Sequence, residues 1–302
     1  PDKYKANSWG DDGNYGDYNS KSKQVDRVVK GELSNGKEIT VVMSAGNNGN
    51  NADPRVTPPG TAKNSITVGS IADFRNSSSQ SQGGVAYDSN NLYVMSSSSR
   101  GTDISGRVKP DILAPGSQIT TSALSSSYAS VEGTSFAAPH VSAVAAQILK
   151  FYPSTSAHRV KAFIIGSADG GGTTDNKNMN QGWGVLDATA TLTLMPDEYT
   201  DQFDENVIGN WLSPNPSERI YSFSVPSGAD KLIITMVYND DPELIAFGNL
   251  LNDLDLHLIN PSSQVLYYND DNVNTVEKYV IKNPAQGNWQ AHVQGLAWND
   301  LG

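Results

Sequence analysis

A chain of 302 residues with 37% hydrophobic content has room for one large domain or two medium ones, and its texture favours two. A net charge of −11 excludes nucleic acid and anionic membrane as main partners, because both select basic surfaces. The absence of cysteine excludes disulfides and thiolate metal sites within it, and the longest apolar stretches, 141–149 and 232–237, fall far short of the roughly twenty residues that span a bilayer.

In chain order, residues 25–32 read as a helix. Residues 39–43, Ile39-Thr40-Val41-Val42-Met43, form a β-branched apolar run of the kind found in buried parallel strands. The run ends in Ser44-Ala45-Gly46-Asn47-Asn48-Gly49, and residues just past the carboxyl end of such a strand are where open α/β sheets place their sites. Asn47 could donate its amide N–H to a developing oxyanion, or it could be ordinary turn chemistry. Further strands are expected at 65–68, 92–95 and 111–113. The Ser-, Gly- and Thr-rich stretches 77–84, 96–99 and 120–130 read as surface loops.

Gly133-Thr134-Ser135-Phe136-Ala137-Ala138-Pro139-His140 sets a serine between small residues at the start of an alanine-rich helix expected over 135–151. Gly133 permits a tight turn, Ser135 lies among unpaired helix-start amides, and Pro139 is expected in the first turn, where no N–H is needed. The serine reads as a presented nucleophile or as an N-cap. With Asn47, its backbone N–H would form a pair of oxyanion donors. A third helix is expected over 156–165, and Trp183 reads as core. The alternation of strands and helices as far as about residue 196 indicates an α/β layer with a mainly parallel sheet.

Beyond Met195-Pro196 the pattern becomes period two, with strands at 220–225, 231–237, 254–259 and 264–268, which indicates an antiparallel β-sandwich. The acidic string Asp197, Glu198, Asp201, Asp204 and Glu205 reads as a solvated linker. In Asn252-Asp253-Leu254-Asp255-Leu256-His257-Leu258 the alternation sends leucines inward and places Asp253, Asp255 and His257 on the other side. With Asn269 and Asp271 the two aspartates could complete an oxygen shell for calcium, or they could be exposed charges that protect a sheet edge. Asp240-Asp241-Pro242 reads as a plain turn.

The ordered pair of Asn47 and Ser135 motifs resembles the subtilisin-like serine peptidases, and other segments agree. Asn7-Ser8-Trp9-Gly10 resembles the family strand that binds extended substrate. The stretch from Pro58-Pro59-Gly60 to Gly69 resembles its pocket-floor turn and next strand, with a cis bond implied before Pro59. Residues 98–101 and 109–116 resemble the approach to the nucleophile, and 181–187 the closing segment. The resemblance is greatest to the large, oxidation-resistant alkaline members that carry a C-terminal β-sandwich. It implies a peptidase portion over 1–196 and a jelly-roll-like sandwich over 197–302, lacking its last strand. Implied site residues are Ser135 and Asn47 for catalysis and Ser8, Trp9, Gly10, Ser44, Ala45, Gly46, Gly133 and Thr134 for substrate. The metal set implied is Asp253, Asp255, Asn269 and Asp271 with structural calcium, and the location extracellular.

The family orders its triad Asp, His, Ser, and only the serine has a matching position here. His140, His158, His257 and His292 are followed by Val141, Arg159, Leu258 and Val293, unlike the family's His-Gly-Thr-His segment, and His140 reads as a packing or surface residue. Asp103 and Asp111 do not match the family's aspartate. A lone serine hydroxyl is a weak nucleophile, so the chain alone is expected to be inert. Activity would need a docked N-terminal fragment of the same protein carrying the Asp and His. The other reading is a catalytically silent structural or binding module.

Overall fold

A computed structural model describes residues 3–11, 13–72, 85–87, 92–194, 218–242, 250–267 and 271–295. The acidic string 197–205, the loop 77–84 and Asn269 lie outside them.

The first half is built on a sheet in which β1 (Tyr4–Asn7), β2 (Thr40–Ser44) and β3 (Ile66–Ile71) run parallel, with β4 (Val85–Tyr87) and β5 (Leu92–Val94) continuing antiparallel past β3. After the short pair β6 (Gly101–Thr102) and β7 (Val108–Lys109), β8 (Ile112–Pro115) returns parallel to β3. Every residue of β2 and β3 is buried, as expected for strands covered on both faces.

Helix α1 (Ser20–Val29) lies before β2, and it begins five residues earlier than the apolar pattern suggested because Asn19 caps it, accepting the N–H groups of Lys21 and Ser22. Residues 120–130 are not a loop but a hairpin, β9 (Ile119–Ala123) paired antiparallel with β10 (Ser127–Val131). Its small polar residues carry no inward face, which is why alternation failed to reveal it.

Helix α2 (Thr134–Phe151) crosses the sheet and buries Ala137, Ala138, Val141, Val144, Ala145 and Ile148 against Val42, Ile66, Val68 and Ile112. Side chains this small let the helix approach closely. Helices α3 (Ala157–Gly166) and α4 (Ala188–Leu194) complete the layer, with Val160 and Ile164 in the same core. Trp183 is buried beside Ile165, Val237 and Val276, as read from the sequence.

In the second half, β11 (Glu218–Val225), β12 (Lys231–Val237), β13 (Leu254–Ile259), β14 (Val265–Tyr267), β15 (Val276–Lys282) and β16 (Gly287–Gly295) form two antiparallel sheets, ordered β11-β16-β13-β14 and β12-β15. Met236 and Tyr279 from one sheet and Leu254, Leu256, Leu258 and Val293 from the other share one core. The leucines point inward as the alternation predicted. The opposite side of β13 is not exposed, however: β13 lies between β16 and β14, and Asp255 and His257 are buried. An edge-protecting role for these acids is therefore overturned.

Charges are also buried deep in the first half. Asp111 lies 2.6 Å from Lys109 Nζ and 2.9 Å from Lys161 Nζ and accepts the N–H of Thr67. All three charged side chains are sealed from water, so each depends on the others for solvation.

Candidate active site

Two chain ends meet above the carboxyl edge of the parallel sheet: the loop after β2 and the first turn of α2. Gly133 occupies the N-cap with φ 135°, a backbone region costly for any side chain, and a Cβ there would sit 3.3 Å from Asn47 Nδ2. The Asn47 side chain fills that space. Its Oδ1 accepts the Thr134 N–H at 3.0 Å and the Thr134 hydroxyl at 3.1 Å, while the Gly46 N–H donates to Thr134 Oγ1 at 3.2 Å. One orphan amide of the helix start is thereby satisfied, and the Asn47 amide is fixed through Oδ1 on Thr134, with its Nδ2 also close to Gly133. Ser135 follows, half-buried, its own N–H among the first four of the helix and so without an intrahelical acceptor. Asn47 and Ser135, separated by 88 positions in the chain, thus stand together at one helix terminus.

The third side is the segment after β1. The Ser135 hydroxyl donates to the Ser8 carbonyl at 3.4 Å, and the Ser8 hydroxyl donates to the Ser135 carbonyl at 3.1 Å. Pro139 explains the second bond. It is the sixth residue of α2 rather than a first-turn residue, so its missing N–H deprives the Ser135 carbonyl of its regular i+4 donor. The Ser8 hydroxyl takes that place.

The other residues singled out from the sequence are placed as follows. Trp9 is 51% exposed, with Lys21 Nζ 5.7 Å from its ring centre. Gly10 faces Thr57, whose Oγ1 would lie 2.7 Å from a Cβ at that position. Ser44 and Ala45 are buried beneath the loop, and Gly46, φ 104°, is half-buried. The turn after Val56 sets Thr57 Oγ1 against both Gly10 and Gly46, with the expected cis bond between Pro58 and Pro59. Gly60 packs on the Ser44 carbonyl, which a Cβ would approach to 3.1 Å.

The histidines lie elsewhere. His140 is exposed, its Nδ1 2.9 Å from the Phe136 carbonyl; His158 in α3 contacts Ser156 at the helix N-cap; and His257 on β13 is paired with His292 on the neighbouring strand β16 of the same sheet. Asp103 forms a buried pair with Arg107 at 2.6 Å.

In the sandwich, Asp255 Oδ1 accepts the Asp271 N–H at 3.2 Å, and Asp271 lies 3.0 Å from Lys177 Nζ. Glu277, fully buried, accepts the Leu256 N–H through Oε2, while its Oε1 has no hydrogen-bond partner among the described residues. Burial first, and then the neighbouring charges of Asp255, Asp271 and Asp253, push its carboxyl up to about 10. Sequence reading missed Glu277 because nothing local distinguishes it. Among the described residues no three His, Cys, Asp or Glu side chains gather closely enough to hold a metal ion, and Asn269 lies outside them.

Asp240 overturns the plain-turn reading of its segment. It is fully buried 2.5 Å from Lys63 Nζ, a partner 177 positions distant that no local pattern could reveal.

Family models match both halves of the chain. The subtilase family model (Peptidase_S8) matches residues 6–184, and that of the bacterial pre-peptidase C-terminal domain matches 217–295. Serine protease AprX of Bacillus subtilis is 32% identical over 145 residues, 43% of this chain and 30% of that protein. Alkaline serine exoprotease A of Vibrio alginolyticus is 30% identical over 153 residues, 51% of this chain and 24% of that protein. The chain therefore spans less than a third of either relative's length. The solved self-cleaved protease domain of PatA aligns at TM-score 0.46 with 22% identity, covering 64% of this chain and 62% of that one. Among the described residues no helix is long and apolar enough to cross a membrane. With more than half its length matched by the family model, the chain belongs to the subtilase family and carries a C-terminal domain of antiparallel sheets.

Proposed function

We propose that this chain bears the nucleophile and substrate cleft of an extracellular serine endopeptidase. Ser135 Oγ attacks the scissile carbonyl, its proton passes to a histidine of a docked Asp- and His-bearing N-terminal segment, and that proton leaves with the amine as the C–N bond breaks. Water then releases the acyl group from Ser135. The tetrahedral oxygen rests on Asn47 Nδ2 and the Ser135 N–H. Ser8, Trp9 and Gly10 receive extended peptide, opposite Ser44, Ala45 and Gly46, with Gly133 and Thr134 shaping the turn. Asn48 rather than an acid follows Asn47, so the pocket favours apolar or uncharged side chains before the scissile bond.

The observation that carries this reading is the anchoring of Asn47 Oδ1 by Thr134, which leaves the amide's donor end beside the Ser135 turn. Labelling of Ser135 by a fluorophosphonate tests it, before and after denaturing separation of any bound peptide. Labelling only before separation supports the two-piece enzyme. No labelling in either state supports the silent module, a reading favoured by the Ser135 hydroxyl donating to a backbone carbonyl rather than to a base.

Calcium in the sandwich belongs to the same proposal, with Asp253, Asp255, Asn269 and Asp271 as its ligands and a jelly-roll-like arrangement of the domain around them. The described residues alone do not complete such a shell. The gathering of Asp253, Asp255 and Asp271 around Glu277, faced by Lys177 at Asp271, supports a further cation nearby, because like charges in a buried region are costly without enough counter-charge. The ion would hold the sandwich and take no part in the chemistry.

A further inference from the structure

The turn at 57–62 touches both walls of the cleft. Thr57 Oγ1 lies against Gly10 and Gly46, and the Pro58 carbonyl accepts the Asp11 N–H at 2.8 Å. What holds this turn from outside is unusual, because its anchors sit in two different domains. On one side, Asp26 of α1 accepts the N–H groups of Lys63 at 3.1 Å and Asn64 at 2.8 Å, with the Tyr18 hydroxyl donating to the same carboxylate at 2.6 Å. On the other side stands Asp240, in the loop that follows β12 of the sandwich.

Asp240 is saturated with donors. Its Oδ2 accepts Lys63 Nζ at 2.5 Å and the Leu251 N–H at 2.9 Å, and its Oδ1 accepts both the backbone N–H and the side-chain amide of Asn252, at 2.9 and 3.0 Å. Its backbone exchanges a reciprocal pair with Asn64: the Asp240 N–H donates to Asn64 Oδ1 at 2.9 Å, and Asn64 Nδ2 donates to the Asp240 carbonyl at 2.7 Å. Lys63, Asn64 and Asp240 are all sealed from water. A carboxylate with every lone pair used and a buried counter-ion has one position open to it, so it transmits position rather than merely adding adhesion. A sandwich tethered only for stability or solubility would need no such contact immediately behind the cleft floor.

We infer that Asp240 is a positioning residue for the substrate cleft: through Lys63 and Asn64 the sandwich domain fixes the turn that floors the pocket, and so belongs to the peptide-binding apparatus. The consequence for cleavage rests on the endopeptidase reading given above, whereas the coupling itself does not. The preference most sensitive to it is the fit of a large side chain before the scissile bond, since that side chain reaches furthest towards the floor.

Hydrogen–deuterium exchange on the whole chain as isolated, wild type against Asp240→Asn, tests the coupling without requiring turnover. The expected result is at least about a tenfold faster exchange at the amides of Gly60, Ala62, Lys63 and Asn64, with protection in β2, β3, β13 and β16 retained. Unchanged exchange at 60–64 overturns the inference. If the variant exchanges faster everywhere, Asn252→Ala decides, because it removes one bond to Asp240 and leaves the ion pair intact: local loosening at 60–64 supports the inference, and none overturns it. Where the material cleaves peptides, Asp240→Asn raises KM for substrates with Leu or Phe before the scissile bond by roughly tenfold and leaves Ala substrates and kcat nearly unchanged. A merely structural contact would lower all rates together, and that result also overturns the inference. Failure of Ser135 to label would sink the peptidase reading and leave the exchange result standing.

Discussion

Asp111 and Glu277 are both carboxyls sealed from water, yet they end on opposite sides of neutrality. Burial works to raise Asp111, but Lys109 and Lys161 outweigh it and hold the group below the usual carboxylate range. Burial raises Glu277 as well, and there Asp255, Asp271 and Asp253 add to it, so the group holds a proton up to about pH 10. In the subtilase half the buried Asp111 is compensated by Lys109 and Lys161 of the same half, whereas Lys63 takes its counter-charge from Asp240 of the sandwich. The sandwich half carries a surplus of acid. Depth alone does not decide the state of a buried group; the sign of its neighbours does.

The sharpest way to break this contrast is Asp111→Asn, which strands two buried ammoniums and is expected to cost about 3–5 kcal/mol in urea unfolding. Asp255→Asn, measured the same way without calcium, should cost far less because it relieves repulsion. Equal losses would end the comparison.

The balanced half extends its pairing into the cleft, where Thr134 holds Asn47. On the endopeptidase reading, Asn47→Ala should slow turnover by about 10²–10³ with little change in melting temperature, the range of the subtilisin case. On the acidic side, calcium at 100 times its dissociation constant should raise stability by about 2.7 kcal/mol over chelator. Asp255→Asn should remove that gain.

Smaller effects follow from pH. Because folding raises Glu277 from 4.5 to about 10, the folded state binds the extra proton over that range. Its contribution is complete below about pH 4.5 and is lost as pH rises towards 10. Glu277→Gln should leave stability nearly unchanged below about pH 4.5 and raise it at pH 7, since Gln needs no proton taken up on folding, and should remove the downward slope in chelator. Lys109 and Lys278 act oppositely. Burial lowers each from 10.5 to about 8, so the unfolded chain binds more protons between those values and stability rises. The Gln variant should therefore show an upward slope from pH 8 to 10.5. The smallest expected effect is that of Asn19→Ala, which loses the cap of α1 and about 1 kcal/mol, read from the shift in urea midpoint.

The same contrast explains what was legible in the sequence. Strands β2, β3, β12 and β13 and helices α2 and α3 announced themselves through apolar periodicity, and their boundaries fell within a few residues. The Asn47 and Ser135 motifs were legible because each is a local pattern with its own backbone logic. The start of α1 was hidden because its first turn has no apolar member and only Asn19 marks it. The β9–β10 hairpin was hidden because exposed strands of small polar residues carry no period. Asp240 with Lys63, and Glu277 amid its acid neighbours, were illegible for a different reason: each draws its meaning from side chains far away in the chain, and no window along the sequence contains both partners.

Pro139 has an effect beyond the helix it interrupts. By withholding an amide from the Ser135 carbonyl it turns a helix-internal bond into a bridge to Ser8, so the segment after β1 and the start of α2 share a joint. A displacement of either segment would therefore be passed to the other through that joint. One absent hydrogen thereby ties together two segments that lie far apart in the chain.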